Sequence, residues 1–221
     1  MAIHVLNQTE SIIGNYLSQI RDQDIQKDRL RFRTNIHRIG TILAYEASKH
    51  MRGYGLRDVQ TPLAQATEIV LVNQPVIETV MRAGLGIHGA FLDVFDEADS
   101  GFLGAARVEG AEKHLVDKPD VVLGYKASPS LAGRTLVWTE VMIASGESLN
   151  MAHNSLLSTH GTPDQTIVCG VIGAREGIDY VMDTIKPDHL IVASVDRALN
   201  DVFYIVPGLG DAGDLQFGNK L

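Results

Sequence analysis

The chain has a single cysteine, Cys169, in 221 residues, so no intrachain disulfide can form and a reducing compartment is expected. Basic residues are outnumbered: 19 lysines and arginines face 27 aspartates and glutamates, a net charge of −8. That balance lacks the electrostatic footprint of a nucleic-acid-binding surface. Nowhere do about 20 apolar residues run together, so no membrane-spanning helix is expected. Met1 to Gly14 lacks a basic start, and Asn7, Gln8, Thr9 and Glu10 interrupt its apolar residues, unlike a secretory signal. A cytoplasmic protein with no membrane or nucleic-acid partner is the expectation. Several chemistries are missing too. The eight histidines make no His-x-x-x-His pair, so their spacing does not point to a zinc site, and His88 and His153 read as helix-surface or partly buried residues. There is no Gly-x-Ser-x-Gly for a hydrolase nucleophile.

Apolar content is 45%, enough to bury one full core. Residues 1–60 read as helical. Ile12, Ile13, Tyr16, Leu17 and Ile20 form one helical stripe, and Phe32, Ile36, Ile39, Leu43 and Ala47 form another within Leu30 to Met51. Turns are expected at Tyr54-Gly55-Leu56 and Thr61-Pro62. Over 67–221 the pattern changes to short β-branched runs at 68–72, 76–81, 102–108, 121–125, 135–141, 166–172, 189–195 and 202–206. Helical segments at 147–159 and 176–185 separate the later runs, which implies crossover units and a mostly parallel sheet. The expected architecture is one α/β domain: a central sheet flanked by helices, with a helical N-terminal region. Such sheets bind ligands in loops beyond the carboxyl ends of their strands.

Four segments lie at such ends. Tyr204-Ile205-Val206-Pro207-Gly208-Leu209-Gly210-Asp211-Ala212-Gly213-Asp214 combines three glycines, a stiffening proline, a flat aromatic ring and two carboxylates. Main-chain groups held this way suit a flat polar heterocycle, though a tight surface loop also accounts for the composition. Arg82-Ala83-Gly84-Leu85-Gly86 runs from a strand into a helix, where backbone N–H groups and Arg82 favour an anion; a turn with a solvated arginine is the plainer reading. Ala106-Arg107-Val108-Glu109 precedes a polar stretch, Gly110 to Lys113, readable as a phosphate-facing flap or as an exposed hairpin. In Glu140-Val141-Met142-Ile143-Ala144-Ser145-Gly146-Glu147-Ser148 a strand reaches an acid and then a hydroxyl-bearing loop at a helix start. That arrangement makes a monophosphate cradle, with Glu140 placed for ribose hydroxyls or a magnesium ion, or else a strand-to-helix turn capped by Ser145.

Together these segments, with Arg31-Phe32-Arg33 and Tyr45-Glu46-Ala47, resemble the uracil phosphoribosyltransferases from about Arg31 to Leu221. The resemblance implies a phosphoribosyltransferase-like α/β fold with a β-flap. It implies uracil and 5-phosphoribosyl 1-diphosphate as substrates, Mg2+ carried by the diphosphate, and UMP and diphosphate as products of pyrimidine salvage. By the same resemblance, Tyr204, Ile205, Gly210, Asp211 and Ala212 hold uracil. Arg82 and Arg107 hold the diphosphate, Ser145 to Ser148 the 5-phosphate, and Glu140 the ribose; Val141 to Ala144 complete that loop. Asp211, Arg107 and Glu140 are the catalytic set it implies. A homodimer or homotetramer, in some members activated by GTP, is also implied.

The chain departs from the family's Asp-Pro-Met-Leu-Ala-Thr-Gly-x-Ser at Glu140, Val141, Ile143, Ser145 and Glu147. Glu140 extends the carboxylate by one methylene, about 1.5 Å. Glu147 adds a negative charge to a loop meant for a dianion, and Val108 stands where an acid is usual. The phosphoribosyl side is altered while the base side is intact. Two functional classes therefore follow: an active uracil phosphoribosyltransferase, or an impaired paralogue that binds uracil or UMP in a regulatory or assembly role. A phosphoribosyltransferase for another base is disfavoured by the Tyr204 to Asp214 loop.

Overall fold

A computed structural model describes residues 1–107 and 121–219. Its central element is a seven-stranded sheet in the order β1-β9-β8-β7-β4-β5-β6. The strands are β1 (Ala2–Val5), β4 (Val76–Met81), β5 (Asp99–Arg107), β6 (Val121–Ala127), β7 (Thr135–Ile143), β8 (Gln165–Ala174) and β9 (His189–Asp196). All neighbours run parallel except β5 and β6, which form an antiparallel pair. The expected flap, with Val108, Glu109 and 110–113, lies outside the described residues, as does the Arg107 side chain.

Both faces of the inner strands are buried, so their sequences alternate between two apolar destinations rather than between apolar and polar. Val137, Val141, Ile167, Cys169 and Ile191 face one layer, built from α1 (Ile13–Arg21), α2 (Arg29–Ser48) and α3 (Leu85–Val94). Leu136, Trp138, Val168, Leu190 and Val192 face the other, built from α4 (Glu147–His160) and α5 (Arg175–Thr184). Cys169 is wholly buried, and burial pushes its thiol pKa up, in keeping with an inert core residue. Among the described residues no helix is long and apolar enough to cross a membrane.

Residues 1–60 contain strands as well as the helices expected there. β1 forms the edge of the main sheet beside β9, with Ala2 opposite His189 and Val5 opposite Val192. The second helix starts at Arg29 because the Asp28 side chain accepts the Arg31 N–H at 3.1 Å and caps it. Its apolar stripe packs into the main core, while Ile12 of the first expected stripe is exposed. β2 (Tyr54–Gln60) and β3 (Gln65–Leu71) pair antiparallel as a separate hairpin. The turn expected at Thr61-Pro62 is its tip, where the Thr61 hydroxyl oxygen accepts the Leu63 and Ala64 N–H groups. The Tyr54-Gly55-Leu56 turn is instead the start of β2.

The apolar run Val202 to Val206 is not a strand of the main sheet. Only β11 (Ile205–Val206) is extended, pairing with β10 (Ala198–Leu199) in a small ribbon. Asn200 explains the difference: its side-chain oxygen accepts the N–H groups of Val202 and Tyr204 and turns the chain before a strand can form. A short helix, α6 (Ala212–Phe217), follows.

Candidate active site

The parallel strands end on one side of the sheet, and the order of connection reverses between β4 and β7. From β4 the chain moves outward to β5; from β7 it moves the other way to β8 and β9. The crevice at such a switch point is where an open α/β sheet receives a ligand. Arg82 follows the last residue of β4, and Glu140 lies in β7 one residue beyond Thr139, the partner of Thr79. The 82–86 turn and the 140–148 loop therefore border the same crevice.

The Arg82 guanidinium meets Asp214 at 2.6 Å and donates to the Gly218 carbonyl at 3.3 Å. The wholly buried Gln216 makes the second link, its amide donating to Ala83 O at 3.0 Å and Ala212 O at 2.9 Å. Gly86 leaves room for that amide, since a Cβ there would collide with Gln216 Oε1. Arg33 holds the Gln216 carbonyl at 2.9 Å. The arginine turn and the glycine loop are thus one unit, closed by α6. Asp211 caps that helix, its Oδ1 accepting the Asp214 N–H at 2.9 Å.

A second clamp fixes the other end of the loop. Arg21 pairs in a bidentate way with Asp196 at 2.6 and 2.8 Å and donates to the Gly208 carbonyl at 3.0 Å. Asp196 in turn accepts the Gly208 N–H at 2.8 Å. Both backbone groups of Gly208 are held, so the following turn is preset. Ile205 and Ala212 point their side chains into the core, while the Tyr204 ring and Gly210 remain exposed. None of Arg21, Asp196, Asp214 or Gln216 was expected from sequence as a site residue. Asp214 was read only as the last residue of the loop; its acidic partner role needs the fold.

The Ser145 to Ser148 loop leads into the start of α4. Gly146 adopts φ 79°, and Ser145 Oγ accepts the Glu147 N–H at 3.4 Å. Behind the loop, Gly177 of α5 lies against the Ala144 carbonyl so closely that a Cβ would collide with it. Val141, Ile143 and Gly146 are buried; Met142, Ala144, Ser145, Glu147 and Ser148 are partly exposed. Burial pushes the Glu140 carboxyl up to about 8, opposed by the neighbouring Val80 N–H. A cation arriving beside it would favour its ionised form.

His88 and His153 prove buried, not helix-surface. His153 Nδ1 accepts the Trp138 indole N–H at 3.2 Å, His88 lies against Phe102, and burial lowers both to about 4. A polar cleft of about 350 Å³, lined by Arg52, Asn73, Arg134 and Asp164 among others, lies at the amino ends of β7 and β8, away from these loops. Its arginines are already paired, Arg52 with Asp188 and Arg134 with Asp99.

Comparison with known proteins gives a consistent result. Residues 7–219 match the family model described as uracil phosphoribosyltransferase. A uracil phosphoribosyltransferase of Porphyromonas gingivalis is 37% identical over 223 residues, covering 100% of both chains. One of Pyrococcus furiosus is 34% identical and covers 95% of this chain and 87% of its own. Among solved structures, a protein of Aquifex aeolicus superposes with a TM-score of 0.83 at 27% identity, covering 98% of each chain.

Proposed function

The chain belongs to the uracil phosphoribosyltransferase family, and from that premise we propose that it joins uracil to 5-phosphoribosyl 1-diphosphate, releasing diphosphate and forming UMP for pyrimidine salvage. The observation that carries this reading is the fusion of the Arg82 turn and the 204–214 loop through Asp214 and Gln216, beside the 140–148 loop. A base, a diphosphate and a 5-phosphate need three recognition elements around one ribose, and the three loops bordering this crevice support that reading.

Uracil offers acceptor, donor and acceptor along one edge. Backbone groups of Ile205 and Gly210 to Ala212 match that order, and cytosine's amino group would leave a donor facing a donor. Tyr204 supplies a face for stacking. Arg82 and Arg107 take the diphosphate. The Arg82 to Asp214 pair is about one-third exposed on both sides, so a diphosphate can displace the carboxylate at modest cost. Ser145 to Ser148 take the 5-phosphate and Glu140 the ribose hydroxyls. Asp211 stands near C1, where positive charge grows as the glycosidic bond to diphosphate breaks. Rate enhancement comes from positioning and electrostatics, without a covalent nucleophile.

Mg2+ prefers a few carboxylates plus substrate phosphates over an all-protein cage. The crevice fits that preference: it offers single carboxylates such as Glu140 and Asp211, and among the described residues no three acids converge there. When bound, the cation neutralises diphosphate charge and favours its departure.

The testing experiment measures UMP formation by the natural chain beside Glu140→Asp and Glu147→Gly. Val141 is wholly buried, so proline there would disturb the core and confuse the result. Turnover by the natural chain is expected, with kcat/KM for 5-phosphoribosyl 1-diphosphate rising with pH until Glu140 ionises near 8. Removing the Glu147 charge lowers KM for that substrate several-fold with kcat little changed, about 1 kcal/mol of relieved repulsion. Retracting the 140 carboxylate by about 1.5 Å raises kcat. Binding of uracil or UMP with no turnover by the natural chain would replace this proposal with the binding-only reading.

Assembly follows from the β2–β3 hairpin, which stands outside the main sheet with Leu56, Leu63 and Ile69 at 76%, 97% and 72% exposure. A protruding apolar hairpin suits packing against a second copy. Leu56→Asp with Ile69→Asp is expected to shift a dimer or larger species to monomer by light scattering, with the fold retained.

A further inference from the structure

The strongest unassigned feature is a cluster of three histidines at the end of the molecule opposite the crevice. His4 comes from β1, His189 is the first residue of β9, and His50 lies just beyond α2. Ala2 pairs with His189, so His4 stands two residues along on the same face of the sheet. His50 is held from both sides of its backbone: its N–H donates to the Ala47 carbonyl at 3.0 Å, and its carbonyl accepts the Gln165 amide at 2.8 Å. Three separate elements therefore fix the three backbones independently of any ligand.

The His50 ring lies between the other two, 4.2 Å from His4 and 4.5 Å from His189. His4 Nε2 and His189 Nδ1 are 3.2 Å apart, and one ring nitrogen from each residue lies within 4.8 Å of the others. Two nitrogens bound tetrahedrally to one Zn2+ are about 3.4 Å apart. The hydrogen-bonded His4 and His189 nitrogens are already close to that separation, and the partly exposed His50 ring, stacked on both, would turn to aim a nitrogen at the same point.

We propose that His4, His50 and His189 form a binding site for one borderline divalent cation, Zn2+ or a close relative, which clips the edge strand β1 to β9 and the end of α2. Imidazole nitrogens select this class of cation over Mg2+ or Ca2+, so the site does not compete for the Mg2+ of the crevice.

The test is equilibrium dialysis of the full chain against Zn2+, with metal and protein quantified, after treatment with a chelator. One Zn2+ per chain is expected, with a rise in Tm over the chelator-treated protein. His50→Ala and His4→Gln should each weaken binding by more than the ~10–100-fold typical of losing an outer-layer partner. Their Tm in chelator should equal that of the natural chain in chelator, because only the clip is lost. A variant-free check uses imidazole NMR signals of the natural chain: three of the eight histidines should shift together at one equivalent. Substoichiometric uptake, unchanged affinity in both variants, or a different set of shifting histidines would overturn the proposal.

Discussion

Asp211→Asn is expected to lower kcat by about two to three orders of magnitude while Tm and uracil affinity stay close to those of the natural chain. Asp211 does two jobs that this substitution separates. Structurally it caps α6 through the bond from Asp214 N–H to its Oδ1, and asparagine caps about as well. In the proposed reaction it would also place a negative charge beside the sugar carbon that turns cationic as diphosphate leaves, and asparagine carries none. Removing one preorganised group aimed at developing charge costs roughly 10²–10³ in kcat. Steady-state kinetics, uracil binding by calorimetry and a thermal melt together decide the matter. Asp211→Ala serves as the contrast, since it also loses the cap, roughly 0.5–2 kcal/mol. A fall in kcat below tenfold in Asp211→Asn would reduce Asp211 to a helix cap.

Replacing Glu78 by glutamine is expected to stabilise the protein by about 3 kcal/mol at pH 8 and to change it little at pH 5. Glu78 lies in the middle of β4 and is wholly buried. One carboxyl oxygen meets the Ser128 hydroxyl at 2.5 Å, and the other has no hydrogen-bond partner among the described residues. Gly101, its neighbour on β5, lacks the side chain that would exclude it. Burial pushes its pKa up to about 7 from the ordinary value of 4.5, with the Ser128 hydrogen bond opposing. Between those two values the folded chain keeps a proton that the unfolded chain has released. Stability is therefore full below about pH 4.5, falls as pH rises through 7, and levels off above. Glutamine carries no such proton, so this part of the decline disappears and Tm at pH 8 rises by about 5–10 °C. Glu140, raised from 4.5 to about 8, adds its own decline equally in both proteins, so the difference between the two curves isolates Glu78. Parallel Tm curves for the two proteins from pH 5 to 8 would contradict this account.

Legibility from sequence followed burial. β4, β7, β8 and β9 stood out because each is apolar on both faces, and the loops at their carboxyl ends followed from parallel pairing. β2 did not, because nearly every residue of Tyr54 to Gln60 is exposed and no core imposes alternation on it. β1 is only four residues long and half-buried, too short to show a period. The run at 202–206 misled in the opposite direction: its apolar residues are real, but Asn200 bends the backbone there.

Residue types in the crevice could be read along the chain because each recognition element is a contiguous segment whose glycines, hydroxyls and charges answer a local geometric need. Partners could not. Arg82 finds Asp214 across 132 positions, Arg21 finds Asp196 across 175, and His4 meets His189 across 185. Spacing rules describe neighbours on one helix or strand; strand pairing brings His4 to His189, and helices packed on the sheet bring Arg21 to Asp196 and Asp214 to Arg82. Glu78 shows the same division: one acid in an apolar strand is visible in the sequence, but its lost solvation and its unpartnered oxygen exist only once β5 and Ser128 close over it.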